Sequence, residues 1–431
     1  MTASGFVRSR VGGLPRAFWA LWAGTLVNRL GTMVEPYLAF YLAGVRHMPV
    51  TSIGLVLALL GAGSLVAQFA GGVLADRIGR RATLALGTGL TAAAMIVLGA
   101  VSSIPVLVAM VFLLGLTIDM YRPASSALLA DLVSPAERTR AYGLLFWAIN
   151  LGFAIAMVSG GALARLGYSW LFWTDAATGV AFGLLVWFAV PETRPQARDD
   201  QPAGSMREVF RDRVMVAYVA IGLAYMFVYA QVNSTMSLAM RQQGLSPAGY
   251  GLAMAVNGVG IVIVQPLVVN RLQVYDRGRV LAAGCATVGL GFGALTFASS
   301  VPEYAAATLV WTLGEIMFSA VASSVIADLA PAHLRGRYNG LWGVAWSGGA
   351  MLAPLLGTRL LAVGRPALWL SCAVLCAGVA AGQLWLGPAI RGRSAQALRD
   401  PGGQATLTVP ESELQSTCGY SAGAVQADAG A

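Results

Sequence analysis

The chain has 431 residues, 57% hydrophobic and only 11% charged, against roughly one-quarter charged in a soluble domain. Its 28 basic side chains are all arginine and outnumber the 19 acids, for a net charge of +9. Apolar runs of about 20 residues recur from end to end, each long enough to cross a bilayer core of roughly 30 Å as a helix. This excludes a soluble enzyme. It also excludes a nucleic-acid binder, because the arginines lie between apolar runs without interleaved aromatics. The composition predicts an all-α polytopic membrane protein.

Twelve spans are predicted. Residues 1–16 read as an N-terminal tail with Arg8, Arg10 and Arg16. Span 1 (17–42) carries Asn28, Arg29 and Glu35. Spans 2 (52–75) and 3 (82–101) are joined by a loop with four charges between Asp76 and Arg81. Span 4 (105–130) places Asp119 and Arg122 three apart on one face, with Asp131 just beyond. Unpaired and facing lipid, these two charges would cost about 5–7 kcal/mol, so they face a partner or water. A static ion pair and a functional acid both satisfy that condition. Span 5 (141–163) holds Gly143, Asn150, Gly152, Gly160 and Gly161, and span 6 (169–190) has Asp175 near its outer end. That position suits a solvated or interfacial acid.

Residues 191–213 are the one long polar connection, a linker between a bundle at 17–190 and a second at 214–390. Span 7 (214–240) presents Tyr225, Tyr229 and Asn233 at i, i+4 and i+8. Span 8 (247–270) carries Asn257, and span 9 (279–300) is glycine-rich. Span 10 (304–328) carries Trp311 and Glu315, and span 11 (340–361) Trp346, Gly349, Pro354 and Gly357. Span 12 is 366–388. The segment 391–431 is small and polar with no periodicity that buries a face, and reads as a disordered tail. Arginine concentrates in the two tails and in alternate connections, so the positive-inside rule places both termini in the cytoplasm of a plasma-membrane protein.

The four cysteines indicate neither a disulfide framework nor a metal site. His47 and His333 are too few for a histidine metal site or a catalytic triad. No metal and no cofactor are expected. Gly289-Leu290-Gly291-Phe292-Gly293 imitates part of a nucleotide loop but lies within an apolar span, where close helix packing explains it better.

The chain is a repeat. At an offset of 197 residues, "ADL" at 130–132 returns at 327–329, and Arg140, Gly143 and Leu144 return as Arg337, Gly340 and Leu341. Gly152, Ala156 and Gly160 return as Gly349, Ala353 and Gly357. Two parallel six-helix bundles place a binding site between them near the membrane midplane, about which they can rock.

The loop Gly72-Val73-Leu74-Ala75-Asp76-Arg77-Ile78-Gly79-Arg80-Arg81 resembles, at every position of G-x-L-A-D-R-x-G-R-R, the signature between helices two and three of the major facilitator superfamily. The resemblance extends over about residues 15–390. It implies a fold of twelve transmembrane helices in two pseudo-symmetric bundles. It further implies that Gly72, Asp76, Arg77, Gly79, Arg80, Arg81 and Asp131 form a latch between the bundles, with Asp76 toward Asn339 and Gly340 and Arg77 paired to Asp131. Arg80 and Arg81 are also explained by topology alone. The second-half counterpart at 268–279 has Asn270 in place of Asp76, so a one-sided latch is expected. Span 5 resembles the antiporter motif G-x8-G-x3-G-P-x2-G-G, except that Ala156-Met157 stands for its Gly-Pro. Pro354 supplies the proline at the repeat position. A monomer is the family expectation.

Charges within spans mark the chemistry, since each costs about 2.5–3.5 kcal/mol at a helix centre. Glu35, Asp119, Arg122 and Glu315 are the proton-coupling candidates. Asn28, Arg29, Asn150, Tyr225, Tyr229, Asn233, Asn257, Trp311 and Trp346 are candidates for the substrate cavity. With the acids they suit a lipophilic cation. The sequence therefore predicts a secondary transporter whose partners are the lipid bilayer, a small-molecule substrate and protons, most consistent with proton-coupled efflux. A metabolite or sugar facilitator, or a non-transporting sensor on the same fold, remains open at this stage.

Overall fold

The structure, a computed structural model, describes residues 13–134, 137–193, 206–331 and 334–399. Among them the first bundle comprises α1 (Arg16–Gly31), α2 (Val34–Gly44), α3 (Val50–Ile78), α4 (Arg80–Ala100), α5 (Ile104–Ile118), α6 (Tyr121–Leu132), α7 (Arg138–Leu166) and α8 (Ser169–Ala189). A short α9 (Met206–Arg211) precedes the second bundle. That bundle comprises α10 (Arg213–Tyr229), α11 (Gln231–Gln242), α12 (Pro247–Leu272), α13 (Arg277–Ala294), α14 (Val301–Leu329), α15 (Arg335–Val363) and α16 (Arg365–Arg399).

Each predicted span coincides with one helix or with two consecutive ones. Among the described residues, eight segments are long and apolar enough to cross a membrane: α3, α4, α7, α8, α10 with α11, α12, α14 and α16. The remaining four spans fall short for visible reasons. Spans 1 and 4 are each broken into two helices, α1/α2 and α5/α6. The eighteen residues of α13 include Arg277, Arg279 and five glycines, and α15 contains six glycines and begins on Arg335.

Helix boundaries follow local chemistry. Pro15 and Pro49 precede α1 and α3, and Ser246 caps α12 by accepting from Gly249 N at 3.2 Å. Ser300 and Glu303 form a capping box at α14. The tight turn between α3 and α4 needs Gly79, whose φ of 98° disfavours any side chain. The first amides of α4 are satisfied by Glu192, which accepts from Arg81 N at 3.1 Å and Ala82 N at 3.2 Å. In span 1 the helix breaks after Gly31, where a Cβ would lie 1.7 Å from Thr178 Oγ1 on α8. Thr32 closes the break by donating to Asn28 O at 3.1 Å. Span 7 breaks at Ala230, next to Tyr229, the repeat position of Thr32.

The bundles meet chiefly along three helix pairs, α3 with α15, α7 with α12, and α2 with α11. Large apolar side chains such as Phe188, Leu267, Leu290, Val374 and Trp385 are more than half exposed on the outward faces, as a surface covered by lipid tails requires.

At the arginine-rich end the structure corrects one expectation. Asp131 pairs with Arg80, while Arg77, its expected partner, is exposed. The pairing recurs in the second bundle as Arg277 with Asp328, each 197 residues on. Each of these pairs lies within one bundle, and the expected one-sided contact of Asp76 across the bundles lies outside the described residues. Gly72 and Asp76 fall in the last turns of α3, and Arg122 in the first turn of α6. The side chains of Asp76 and Arg122 lie outside the described residues.

The tail expectation changes as well. Helix α16 continues to Arg399, eight residues past the expected start of disorder at 391. Its extension is tied down by Arg391 on Asp276 at 2.9 Å and by Arg393 on Asp212, with Nη2–Oδ1 at 2.7 Å. Asp212 also caps α10 and accepts from Tyr338 Oη on α15 at 2.8 Å. Burial opposes ionisation of Asp212, but Arg393, Tyr338 and the Met215 N–H outweigh it and hold the carboxyl below the usual range. Residues 1–12, 194–205 and 400–431, which hold most of the predicted tails and linker, lie outside the described residues.

Candidate functional site

A cavity of about 490 Å³ lies between the two bundles, a size typical of small-molecule sites. One wall comes from α1, α2, α3, α6 and α7, the other from α10, α11, α12, α14 and α15. Toward the arginine-poor end it is closed by aromatic packing across the bundles. Tyr250 meets Tyr37 edge-on with ring centroids at 5.5 Å and meets Phe40 at 5.6 Å. Arg241 adds a hydrogen bond to Ala43 O at 3.2 Å. Toward the arginine-rich end the lining reaches Ser125, Ser126 and Leu145. There a Cβ on Gly143 or Gly340 would meet nothing within 4 Å. The cavity is thus shut at the arginine-poor end, while Gly143 and Gly340 face open space toward the other.

The expected glycines make the shut end possible. A Cβ at Gly161 would lie 2.7 Å from Ala248 Cα, and one at Gly160 2.8 Å from Tyr37 Cε2. Gly152 packs on Arg29 within the first bundle. In the second, Gly349 and Gly357 seat on Met226 and Gln231. The replaced Gly-Pro of span 5 leaves Ala156 and Met157 fully buried, and Met157 O accepts from Tyr37 Oη at 2.5 Å. Pro354 lies inside α15 and lines the cavity. The glycine-rich run of span 9 packs closely, with Gly291 against Trp311 and Gly289 against Cys376.

Of the residues predicted from sequence, Arg29, Glu35, Asn150, Tyr229, Asn233, Asn257, Trp311, Glu315 and Trp346 line this one cavity. Asn28 lines a smaller adjoining space instead. Tyr225 does not reach the cavity: its ring stacks on Phe318 at 3.8 Å and is buried behind Tyr229. Asp119 is buried at the break between α5 and α6 and lines neither space. Asp175 is 6% exposed and not solvated, because Oδ2 accepts from Val34 N at 3.3 Å where span 1 is broken. Sequence reasoning also passed over Thr25, Thr32, Ser125 and Ser126. Small hydroxylated residues on apolar helices carry no periodic signal that separates a wetted face from a packed one.

Glu315 is the chemical centre of the second wall. Its Oε1 accepts from Tyr229 Oη at 2.9 Å and its Oε2 from Asn257 Nδ2 at 2.7 Å. Asn257 Nδ2 also donates to Thr312 Oγ1 at 3.0 Å, which donates onward to Thr308 O at 2.7 Å. Around the acid stand three rings: Tyr229 is edge-on to Trp311 at 6.1 Å and tilted against Trp346 at 6.0 Å. A carboxylate holding two donors is ready to give up one of them when it is protonated, or when a cation arrives. The first wall is more polar, with Arg29, Thr32, Glu35 and Asn150.

Known proteins share this plan. The family profile described as Major Facilitator Superfamily matches residues 21–243 and again 223–416. YttB, an uncharacterized MFS-type transporter of Bacillus subtilis (strain 168), is 27% identical over 369 residues, 84% of this chain and 93% of its own. Multidrug resistance protein MdtH of Yersinia pestis (strain Pestoides F) is 25% identical over 272 residues, 63% of this chain and 68% of its own. Among solved structures, a POT family transporter in complex with a thioalcohol-conjugated peptide superposes with a TM-score of 0.76 at 15% identity. That match covers 88% of this chain and 98% of the POT family chain.

Proposed function

This chain belongs to the major facilitator superfamily of membrane transporters, and from that premise we propose that it exports a lipophilic, cationic small molecule in exchange for protons by alternating access. The observation that carries the reading is Glu315. It sits in the wall of an inter-bundle cavity, ringed by Tyr229, Trp311 and Trp346 and held by two neutral donors, with no arginine of its own wall among the described residues of the lining. Aromatic faces attract a cation that has shed its water, and a carboxylate supplies the opposite charge. The likeness to a multidrug resistance protein supports the substrate class.

The cycle follows from exclusive occupancy. Glu315 holds either a proton or the positive end of the substrate. With the arginine-rich side in the cytoplasm, the conformation described here is open inward and closed outward. Substrate enters from the cytoplasm and displaces the proton of Glu315. The bundles then rock, opening the end closed by Tyr37, Phe40 and Tyr250, and an external proton discharges the substrate. Ion pairs at the base of each bundle, Arg80 with Asp131 and Arg277 with Asp328, keep the helices of a bundle moving as a unit.

The test is ethidium transport in proteoliposomes with and without an imposed pH gradient. Wild type accumulates ethidium only with the gradient. Glu315→Gln loses that accumulation while still exchanging ethidium down its own gradient. Gradient-driven accumulation by Glu315→Gln equal to wild type would remove the assignment of the acid.

A further inference from the structure

The hydrogen bonds around Glu315 fix which way the Asn257 amide points. Thr312 gives its one hydroxyl hydrogen to Thr308 O at 2.7 Å, so toward Asn257 it only accepts. An ionised Glu315 also only accepts. Both face the same nitrogen: Asn257 Nδ2 donates to Glu315 Oε2 at 2.7 Å and to Thr312 Oγ1 at 3.0 Å. The two amide hydrogens are thereby used. The amide oxygen, Oδ1, takes no hydrogen bond among the described residues and is left facing the cavity that Asn257 lines. Beside it, each oxygen of Glu315 accepts a single bond among the described residues, which leaves a lone pair on each for a ligand.

The 197-residue repeat shows that the fold does not require this cluster. Tyr229, Asn257, Thr312 and Glu315 fall on Thr32, Leu60, Gly115 and Ile118 of the first bundle, so three of the four positions there carry no polar side chain. The register holds at these positions, because the packing repeats with it: Gly63 lies against Gly115 on α5 as Gly260 lies against Thr312 on α14. The first bundle closes the same place by backbone approach, where a Cβ at Gly115 would collide with Leu60 O. An acid and an amide inside apolar helices are costly, and here they are not needed for packing.

We propose that Asn257 is a substrate-binding residue whose Oδ1, together with Glu315, selects a lipophilic primary or secondary ammonium, a cation that carries N–H bonds, over a quaternary one. The inference rests on the reading of Glu315 as the cation site and narrows the substrate class of that site. The aromatic faces of Tyr229, Trp311 and Trp346 attract either kind of cation. N–H groups that leave water, however, need acceptors in the protein. Glu315 and Asn257 Oδ1 supply them side by side. A quaternary cation holds its charge behind carbon and leaves Oδ1 buried beneath it without a donor, which costs affinity.

The same amide sets substrate against proton. When Glu315 is protonated, the amide turns over, and the carboxyl O–H donates to Oδ1. Thr312 swings its hydroxyl hydrogen from Thr308 O to the same oxygen. All three side chains stay paired, and Nδ2 now turns its hydrogens to the cavity, where they repel an ammonium. The ionised acid thus comes with an acceptor and the protonated acid with donors. The other charged side chains of the lining among the described residues, Arg29 and Glu35, stand on the opposite wall, on α1 and α2.

The test is isothermal titration calorimetry of the purified protein in detergent at neutral pH. The probes share one body, naphthylmethylammonium and its N-trimethylated analogue. Binding is read instead of uptake, because a neutral amine crosses a bilayer unaided. Wild type is expected to bind the primary ammonium about ten-fold more tightly than the quaternary one. Asn257→Leu keeps the size but loses the acceptor, and the preference disappears; Asn257→Ala serves the same end if leucine disturbs folding. Both variants also remove a donor from Glu315, which affects the two probes alike, so the ratio reports Oδ1. Wild type that binds the quaternary probe as tightly as the primary one, or binds neither, overturns the proposal. An unchanged ratio in the Asn257 variants overturns it as well. Failure of the parent reading shows separately, as Glu315→Gln that binds both probes like wild type and wild-type proteoliposomes that accumulate no ethidium under a pH gradient.

Discussion

Single side chains decide what the cavity recognises. Trp346 is partly exposed and tilts against Tyr229 at 6.0 Å, so Trp346→Ala removes one face of the aromatic cage without touching Glu315. Fluorescence titration should show ethidium binding weakened about ten-fold, or about 1.4 kcal/mol, with Trp346→Phe retaining most of the affinity. Equal affinity for the alanine variant would mean that the cation sits elsewhere. The residue types at the site were legible in the sequence, because an acid or asparagine inside an apolar span is conspicuous. Their direction was less so. Tyr225 and Tyr229 are one helical turn apart, yet only Tyr229 reaches the cavity, because Phe318 takes the ring of Tyr225. Asp175 lies near a span end, and nothing in its neighbours announces that the backbone of another helix is broken opposite it. Arg77 and Arg80 are equally near Asp131 along the chain, and only the turn at Gly79 selects Arg80.

Helices carry the motion, and their contacts set which state is preferred. Gly251 on α12 lies where a Cβ would come within 2.1 Å of Met157 O and 2.3 Å of Tyr37 Oη. Gly251→Val therefore wedges α12 from α7 at the closed end. The variant should expose a cysteine placed at Asn233, in a background without native cysteines, to an impermeant thiol reagent from the arginine-poor side several-fold faster than in the parent. An unchanged rate would show that this contact does not gate the cavity.

At the opposite end Asp212 joins α10, α15 and α16. Its carboxyl ionises more readily when folded, so its contribution is fully present above the unfolded carboxylate value of about 4 and is lost as pH falls through the lower folded value. Asp212→Ala should cost about 1–2 kcal/mol at neutral pH, including the lost cap. Melting curves in detergent should also show that the difference from wild type shrinks on acidification; a gap that is constant down to pH 3 contradicts the ionic contribution. Hydropathy located the helices but not the breaks in spans 1, 4 and 7, since averaging over about 20 residues runs straight through an interruption of one or two residues. The extension of α16 was hidden for another reason. Its start is tied by Arg391 and Arg393 to Asp276 and Asp212 in distant segments, a pairing that no local pattern announces.

The whole molecule is two copies of one bundle with a shared wall, and the 197-residue offset made that legible before any coordinate. What the offset could not show is how the copies have diverged. They share the Arg80–Asp131 and Arg277–Asp328 pairs and the break in the first helix, but Ile118 stands at the repeat position of Glu315 and Cys372 at that of Asp175. Rocking of near-rigid halves about the cavity is the central claim, and paired spin labels test it most directly. One pair, at Val45 and Gln242, spans the arginine-poor end; the other, at Ile78 and Gly336, spans the arginine-rich end, and all four positions are exposed. With ethidium and changing pH, the account predicts two populations in which the first distance lengthens as the second shortens. A single unchanging distance at both ends, in protein that transports, would contradict it.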